Sequence, residues 1–366
     1  IRFFGSQNGH HRTIPLKAIV VEAVHSTISS PFKNLISISK RWIIASALAF
    51  LPHASKLVAQ SETIGPSSRR SPLSISEIMY HPTSRPDGMN GEFVEIYNSQ
   101  LWPEDISGYR LQGGIDYKFP PGTIIPEQDY LVIAKSPQSA SNIYGIQEPQ
   151  GPFEGSLNNR GETLRLLNRG DAVLLEIPFL NKSPWPLGAS GFGHSLTLAR
   201  PSMGESNPIA WKISSQKGGS PGTSEGASAS LFNLLQINEV WRHPTRSNDA
   251  FIELVNRDRD SMDLSGVTIT VLPSTTIHVI PDGVIVMPGE YYLITENNAA
   301  LNLSEATASL SLSVPGGDQI IDIWQLIPHE PKLSLGRNFE HPERPSLLSH
   351  STPGEPNASA YRPSIV

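Results

Sequence analysis

Cysteine is absent from this 366-residue chain, so neither disulfides nor thiolate metal sites are available to it. The absence names no compartment; it only removes the usual staple of small exported domains. Charge is sparse, at 17% Asp, Glu, Lys and Arg, and hydrophobic content is a modest 38%. No apolar stretch reaches the roughly 20 residues that carry a helix across a bilayer. Beyond the first sixty residues no window of eleven or more shows helical periodicity, which excludes long helices. Reactive signatures are missing as well. There is no H-x-x-x-H, H-E-x-x-H or His-x-Asp spacing and no Walker loop. Gly188-Ala-Ser-Gly-Phe-Gly193 is glycine-rich, but it follows a Pro-Trp-Pro loop and opens no helix, so it does not read as a phosphate cradle.

What the chain does have is punctuation and repetition. Pro (32) and Gly (29) recur every few residues, as in proteins of many short strands joined by turns. ISEIMYHP (Ile75 to Pro82) returns as INEVWRHP (Ile237 to Pro244). EFVEIYN (from Glu92) answers to AFIELVN (from Ala250), and DISGYRL (from Asp105) to DLSGVTI (from Asp263). FPPGTIIPEQDYLVIAK (from Phe119) answers to IPDGVIVMPGEYYLITE (from Ile280). NNRGETLRLLN (from Asn158) pairs with VPGGDQIIDIW (from Val314), and SPGT (Ser220 to Thr223) with TPGE (Thr352 to Glu355). One order kept through six blocks marks a duplicated domain, its second copy shorter by roughly thirty residues.

Apolar runs of four to eight residues between turn formers read as strands. In the first copy these are Leu73–Tyr80, Glu92–Tyr97, Gly108–Gln112, Tyr117–Phe119, Tyr130–Ala134, Glu162–Leu167, Ala172–Ile177 and His194–Leu198. Such spacing predicts an all-β chain of two tandem antiparallel β-sandwiches of immunoglobulin type. Pro120-Pro-Gly122 and Pro281-Asp-Gly283 suit tight turns, and Asn168-Arg-Gly-Asp171 suits a hairpin with a left-handed Gly. Alternation puts Val94 and Ile96 on the core face, leaving Phe93, Glu95 and Tyr97 on an outer one; Glu253 repeats the placement between Phe251 and Val255.

The domain plan is a basic leader at 1–60, a polar linker at 61–72, a first domain at 73–223, a linker at 224–231, a second domain at 232–357 and a tail at 358–366. The leader carries seven Lys/Arg and one Glu; the first domain eleven basic and fifteen acidic residues; the second seven and sixteen. Acidic domains are poor trackers of a phosphate backbone, which argues against nucleic acid as partner. In the leader, otherwise expected to be mostly disordered, Lys40-Arg41 precedes the ten-residue apolar core Trp42–Leu51 and small residues beyond it, the pattern of a secretory signal peptide.

Histidine gives little: His10 and His11 lie in the leader, while His81 and His243 each precede Pro as turn residues. The repeated carboxylates are the sharper possibility. Glu77 and Glu95 fall on strands that would pair, and Glu239 and Glu253 copy them. Close carboxylates need a cation, a shared proton or backbone donors. One reading is a Ca²⁺ site of oxygen ligands, with Glu77, Glu95, Glu239 and Glu253 as candidates. The favoured reading is that each accepts backbone hydrogen bonds and fixes strand pairing. No catalytic residue or cofactor is assigned.

Taken together, EIMYHP, GEFVEIYN, DISGYRL, FPPGTIIPEQDYLVIA and NNRGETLRLLN resemble the lamin tail domain in its bacterial form. GHSLTLARP (Gly193 to Pro201), Asn207-Pro208, Trp211 and GGSPG (Gly218 to Gly222) resemble its usual end. The resemblance spans about 73–223 and 234–356; the second copy departs from it, with Lys332-Leu-Ser-Leu335 in place of G-H-S-L and a shortened C-terminal part. It implies an immunoglobulin-like sandwich without catalytic residues, which in animals ends nuclear lamins. In bacteria it resembles modules of exported proteins, often beside nuclease, phosphatase or kinase-like domains. The function expected on that basis is an exported, secreted or envelope-located, non-catalytic binding or anchoring protein. Its partner would be an extracellular or envelope protein or polymer. The alternative is an accessory fragment of a larger secreted enzyme whose catalytic domain lies elsewhere.

Overall fold

A strand buries one face and exposes the other, so short alternating runs cut by turn residues must stack sheet on sheet to hide their apolar sides. The computed structural model describes residues 71–363, apart from 227–229, 243–249, 300, 302, 304–307, 339–341 and 343. The leader at 1–60 with its apolar core 42–51, the linker up to residue 70, and His243 lie outside the described residues.

The first copy opens with β1 (Leu73–Met79), β2 (Phe93–Asn98), β3 (Glu104–Asp105), β4 (Arg110–Gln112), β5 (Ile115–Lys118), β6 (Ile124–Ile125) and β7 (Tyr130–Ala134). Helix α1 (Pro137–Tyr144) follows, then β8 (Glu154–Gly155), β9 (Gly161–Leu167), β10 (Val173–Leu180), β11 (Leu196–Leu198) and β12 (Trp211–Ile213). One sheet has the order β12-β11-β1-β2-β7 and the other β10-β9-β4-β5-β8. Ile75, Ile78, Val94 and Ile96 from the first meet Leu111, Leu164, Leu166 and Ile177 from the second in a single buried core.

The second copy repeats the plan with β13 (Leu235–Trp241), β14 (Phe251–Asn256), β15 (Met262–Asp263), β16 (Thr268–Leu272), β17 (Thr276–Val279), β18 (Ile285–Val286) and β19 (Tyr291–Thr295). It closes with β20 (Ser309–Ser313), β21 (Ile320–Gln325), β22 (Ser334–Arg337) and β23 (Pro345–Leu348). Its sheets are β19-β14-β13-β22-β23 and β17-β16-β20-β21. Ile237, Val240, Ile252 and Leu254 pack on Ile269, Leu310, Leu312 and Trp324. The expected pair of tandem all-β, immunoglobulin-like antiparallel sandwiches is what forms.

Three local expectations need correction. Gly170 was to supply the left-handed residue of the 168–171 turn, but Asp171 takes it, at φ 60°; Asp tolerates that region because its short polar side chain can hydrogen-bond the local backbone. VPGGDQIIDIW is not the counterpart of NNRGETLRLLN. It forms the β20–β21 turn and β21, which match the β9–β10 turn and β10, whereas β20 is the equivalent of β9. Both turns are glycine-bearing and lead into apolar strands, so sequence alone slipped by one hairpin. The third concerns the outer face of β2, which is not open. Helix α1 lies across it, with Ala140 against Met79, Phe93, Val132 and Ala134, and the Phe93 and Tyr144 rings meet edge-on at 5.3 Å. At eight residues α1 is too short to show a helical period; its signals are the Ser136 cap, Pro137 in the first turn, and Gly145 at φ 72° behind it.

Both sandwiches belong to one compact unit. The Lys217 amide donates to the Asp318 carbonyl across them at 2.8 Å, and the Gly188 backbone lies so close to Ile320 that an added methyl would touch its side chain.

Candidate functional site

Each sandwich begins with a bulged strand. Between Ile75 and Glu77 the β1–β2 register slips by one residue, and between Ile237 and Glu239 β13–β14 slips identically. A bulge lets two successive residues oppose one, turning a side chain that alternation would send elsewhere. The result is Glu77 directly opposite Glu95, and Glu239 directly opposite Glu253. All four are at most 1% exposed. Sequence reasoning paired the right residues but placed Glu95 and Glu253 on an outer surface; the segment following the last strand covers them instead.

That segment is the SPGT or TPGE phrase. In the first copy Ser220 donates its amide (3.1 Å) and its hydroxyl (3.3 Å) to Glu77, while the Gly222 amide donates to Glu95 at 2.6 Å. Ser195, on the loop entering β11, donates its hydroxyl to Glu77 in a short bond, and Ser76, the bulged residue, donates to Glu95 at 2.6 Å. The second copy reproduces this arrangement with one donor exchanged. Thr352 donates its amide (3.0 Å) and hydroxyl (3.1 Å) to Glu239, and the Gly354 amide donates to Glu253 at 2.5 Å. Ser334 donates to Glu239, and Asn238 supplies Nδ2 to Glu253 at 2.7 Å in place of a hydroxyl. Ser334 thus does for the second copy what Ser195 does for the first. The Ser shared by G-H-S-L and K-L-S-L was the signal, and the differing Gly-His hid it.

Backbone donors therefore resolve the carboxylate pairs, as the favoured reading held, with one difference. They lock the end of the domain onto its first two strands more than they fix the pairing of those strands. The turn geometry is demanding: Gly219, at φ 80°, runs so close to Glu77 Oε1 that a Cβ there would overlap it, and Gly222 sits at φ 82°.

Burial raises Glu77 above the usual carboxylate range, with Glu225 adding to the effect. Burial raises Glu95 well above that range too, helped by the charge of Glu77. Burial likewise raises Glu253. Every one of the eight carboxylate oxygens takes at least one N–H or O–H donor. A calcium ion would need those same lone pairs, with the donor protons pointing at it. Among the described residues no group of three or more His, Asp or Glu side chains converges as a metal site would require. His81 ends β1 beside Pro82, half-buried, and burial lowers it from the usual imidazole range.

Beside the first clip lies a cavity of about 520 Å³ bounded by α1 and the closing turn, with Tyr144, Arg85, Lys217 and Ser220 in its wall. Tyr144 holds the rim by donating to the Gly91 carbonyl at 2.7 Å. Both of the cations in the wall come from loops, and Arg85 is neutralised by Asp87 at 2.6 Å. The family model of the lamin tail domain matches residues 66–176 and again 229–323, more than half of the chain. No curated protein matches. Among the described residues no helix is long and apolar enough to cross a membrane.

Proposed function

Since the chain belongs to the lamin tail domain family, carrying two copies in tandem, we propose that it is an exported, non-catalytic protein that binds or anchors a partner of the envelope or extracellular space. The lamin tail domain is an immunoglobulin-like binding module, typically without catalysis. The observation that carries the reading is where the chain spends its buried carboxylates. Both copies commit the same pair to closing the domain, the arrangement of a rigid scaffold, while the outer ladders of the second sheets diverge: Arg110, Gln112 and Arg165 in one copy stand where Thr268, Thr270 and Ser311 stand in the other. A scaffold held fixed with its exterior free to vary is suited to gripping, and the acidic balance of both copies favours a protein or polymer over a nucleic acid. Export rests on the signal-like run Trp42–Leu51 behind Lys40-Arg41.

Fractionation tests this directly. Mature protein is expected in the culture or envelope fraction with an N-terminus near residue 60, and the tandem is expected to capture a partner from envelope extract. Full-length protein confined to the cytosol, or turnover of a substrate by purified protein, overturns the reading.

A further inference from the structure

The outer ladder of the second copy leaves space where the first copy fills it. Arg110 and Arg165 extend over their sheet and pair with Asp116 and with Glu176. At the matching positions of the second copy, Thr268, Thr270 and Ser311 reach no further than a hydroxyl, joined by Ser309 and Ser313 on the same strand. Between this ladder and the first sandwich is a cavity of about 780 Å³, within the range of small-ligand sites.

Its wall is unusual in what it leaves unpaired. The hydroxyls of Thr268, Thr270, Ser309, Ser311 and Ser313 have no hydrogen-bond partner among the described residues, although Ser311 and Ser313 are 1% and 5% exposed. Nδ1 of His81, across the cavity, is buried without a partner as well. Arg160 and Lys217 also face it, and neither makes an ion pair among the described residues. No Asp or Glu contributes to the described wall, in a chain with 34 of them. Buried polar groups are ordinarily satisfied, and a row of hydroxyls that the protein leaves open is a row of donors and acceptors for something else.

We propose that this cavity binds a short acidic saccharide, its ring hydroxyls meeting the Thr/Ser ladder and its carboxylate or phosphate meeting Arg160 and Lys217. Sugar hydroxyls match a neutral ladder of alternating donors and acceptors, and two cations with no ion-pair partner and no acid in the cavity wall select for negative charge. Phe192 and Leu272 supply apolar wall for the ring faces.

Calorimetric titration of the full chain tests the site with four probes: a galacturonate trimer, glucose 6-phosphate, neutral maltotriose and inorganic phosphate. Saturable binding of the galacturonate trimer or glucose 6-phosphate, with maltotriose and inorganic phosphate each at least tenfold weaker, is the expected result. Arg160→Gln and Lys217→Gln should each weaken binding about tenfold. Thr270→Val, close to isosteric, should weaken it several-fold, and Ser311→Leu, which fills the cavity, should abolish it with the thermal transition retained. The proposal is overturned if none of the four probes binds, if maltotriose binds as tightly as the acidic probes, if inorganic phosphate matches the sugars, or if Thr270→Val and Arg160→Gln both leave binding unchanged. The site deepens the binding reading above and rests on it, yet the two fail separately. Wild-type protein that captures an envelope partner but binds no saccharide sinks this site alone.

Discussion

The two clips differ in their supporting parts and agree in their working ones. In the first, the bulged residue is Ser76, the residue before the hydroxyl-Pro-Gly phrase is Gly219, and Glu225 crowds the pair with further negative charge. In the second, the bulged residue is Asn238 and the residue before the phrase is Ser351. There Asn357 adds a brace by donating to the Asn238 carbonyl at 3.0 Å and to the Arg337 carbonyl at 2.6 Å. What both keep is two facing glutamates, a hydroxyl residue whose amide and side chain serve the first, and a glycine amide that serves the second. Duplication has left a natural experiment in which the acceptors and the turn are held and their surroundings exchanged. The close approach at Gly219 is peculiar to one copy, and the amide brace to the other.

The sharpest way to break the comparison is to write the second copy's residue into the first. Gly219→Ser places a Cβ on a backbone at φ 80° and drives it into Glu77 Oε1. A strained backbone plus an overpacked buried carboxylate should cost about 3 kcal/mol or more. The reverse change, Ser351→Gly, should cost under about 1 kcal/mol, chiefly through the flexibility it gives the unfolded chain. Denaturant titration that finds the two changes equally mild would show that the clips are interchangeable after all.

Next in size is a change that should affect both copies alike. Ser195→Ala and Ser334→Ala each remove one hydroxyl from a buried glutamate, Glu77 and Glu239 respectively. Each should cost about 1–2 kcal/mol. Hydrogen exchange should rise locally in the 218–224 segment for the first and in the 350–356 segment for the second. An effect in one copy only would mean that the hydroxyls are not equivalent despite their shared acceptors.

Titration separates the copies by charge. Glu77 is pushed up to about 8 by burial, and Glu95 is raised by burial and by Glu77, whereas an unfolded glutamate titrates at about 4.3. Between those limits the folded state holds more protons than the unfolded one, so stability falls as pH rises. The contribution is complete below about pH 4.3 and lost as pH climbs through about 8. Glu253, raised by burial, works in the same direction. The first sandwich should therefore melt at least a few degrees higher at pH 5.5 than at pH 8.5. Glu95→Gln should flatten that slope more than Glu253→Gln does, because Glu95 carries the added repulsion of two neighbouring acids. A stability that rises across this window would contradict the buried, proton-retaining pair.

Much of this architecture could be read from the residues because repetition made it redundant. The strands, the two-sheet plan and the pairing of Glu77 with Glu95 all follow from alternation and from a phrase written twice. Three features could not be read, each for a physical reason. The bulge at Ser76 and Asn238 leaves no compositional mark, so alternation gives no sign that Glu77 and Glu239 turn to face Glu95 and Glu253. Helix α1 is shorter than the window in which a helical period shows, so the face it covers looked open. The donors to the glutamates come from about 140 residues downstream in the first copy and about 110 in the second, a separation that local patterning does not report. The recurrence of S/T-P-G at the end of each copy was nevertheless visible. Its partner was missing, not its signal.

The smallest expected effect concerns calcium, and it bears on both clips equally. A calcium site wants six or more oxygens free to turn their lone pairs to the ion. Here Glu77 and Glu95 already accept from Ser195, Ser220, Gly222 and Ser76, and two of those donors are backbone amides that cannot rotate away. Glu239 and Glu253 are held in the same way by Ser334, Thr352, Gly354 and Asn238. Admitting the ion would mean turning amide protons from their acceptors and unlocking the closing turn, so binding would work against the fold that presents the site. Millimolar calcium should shift the melting temperature of wild type by no more than about 1 °C, because a ligand stabilises only what it binds in the native state. A larger rise, abolished by Glu95→Gln or Glu253→Gln, would show that the donors yield to a cation and would make one copy, or both, a metal-gated clasp.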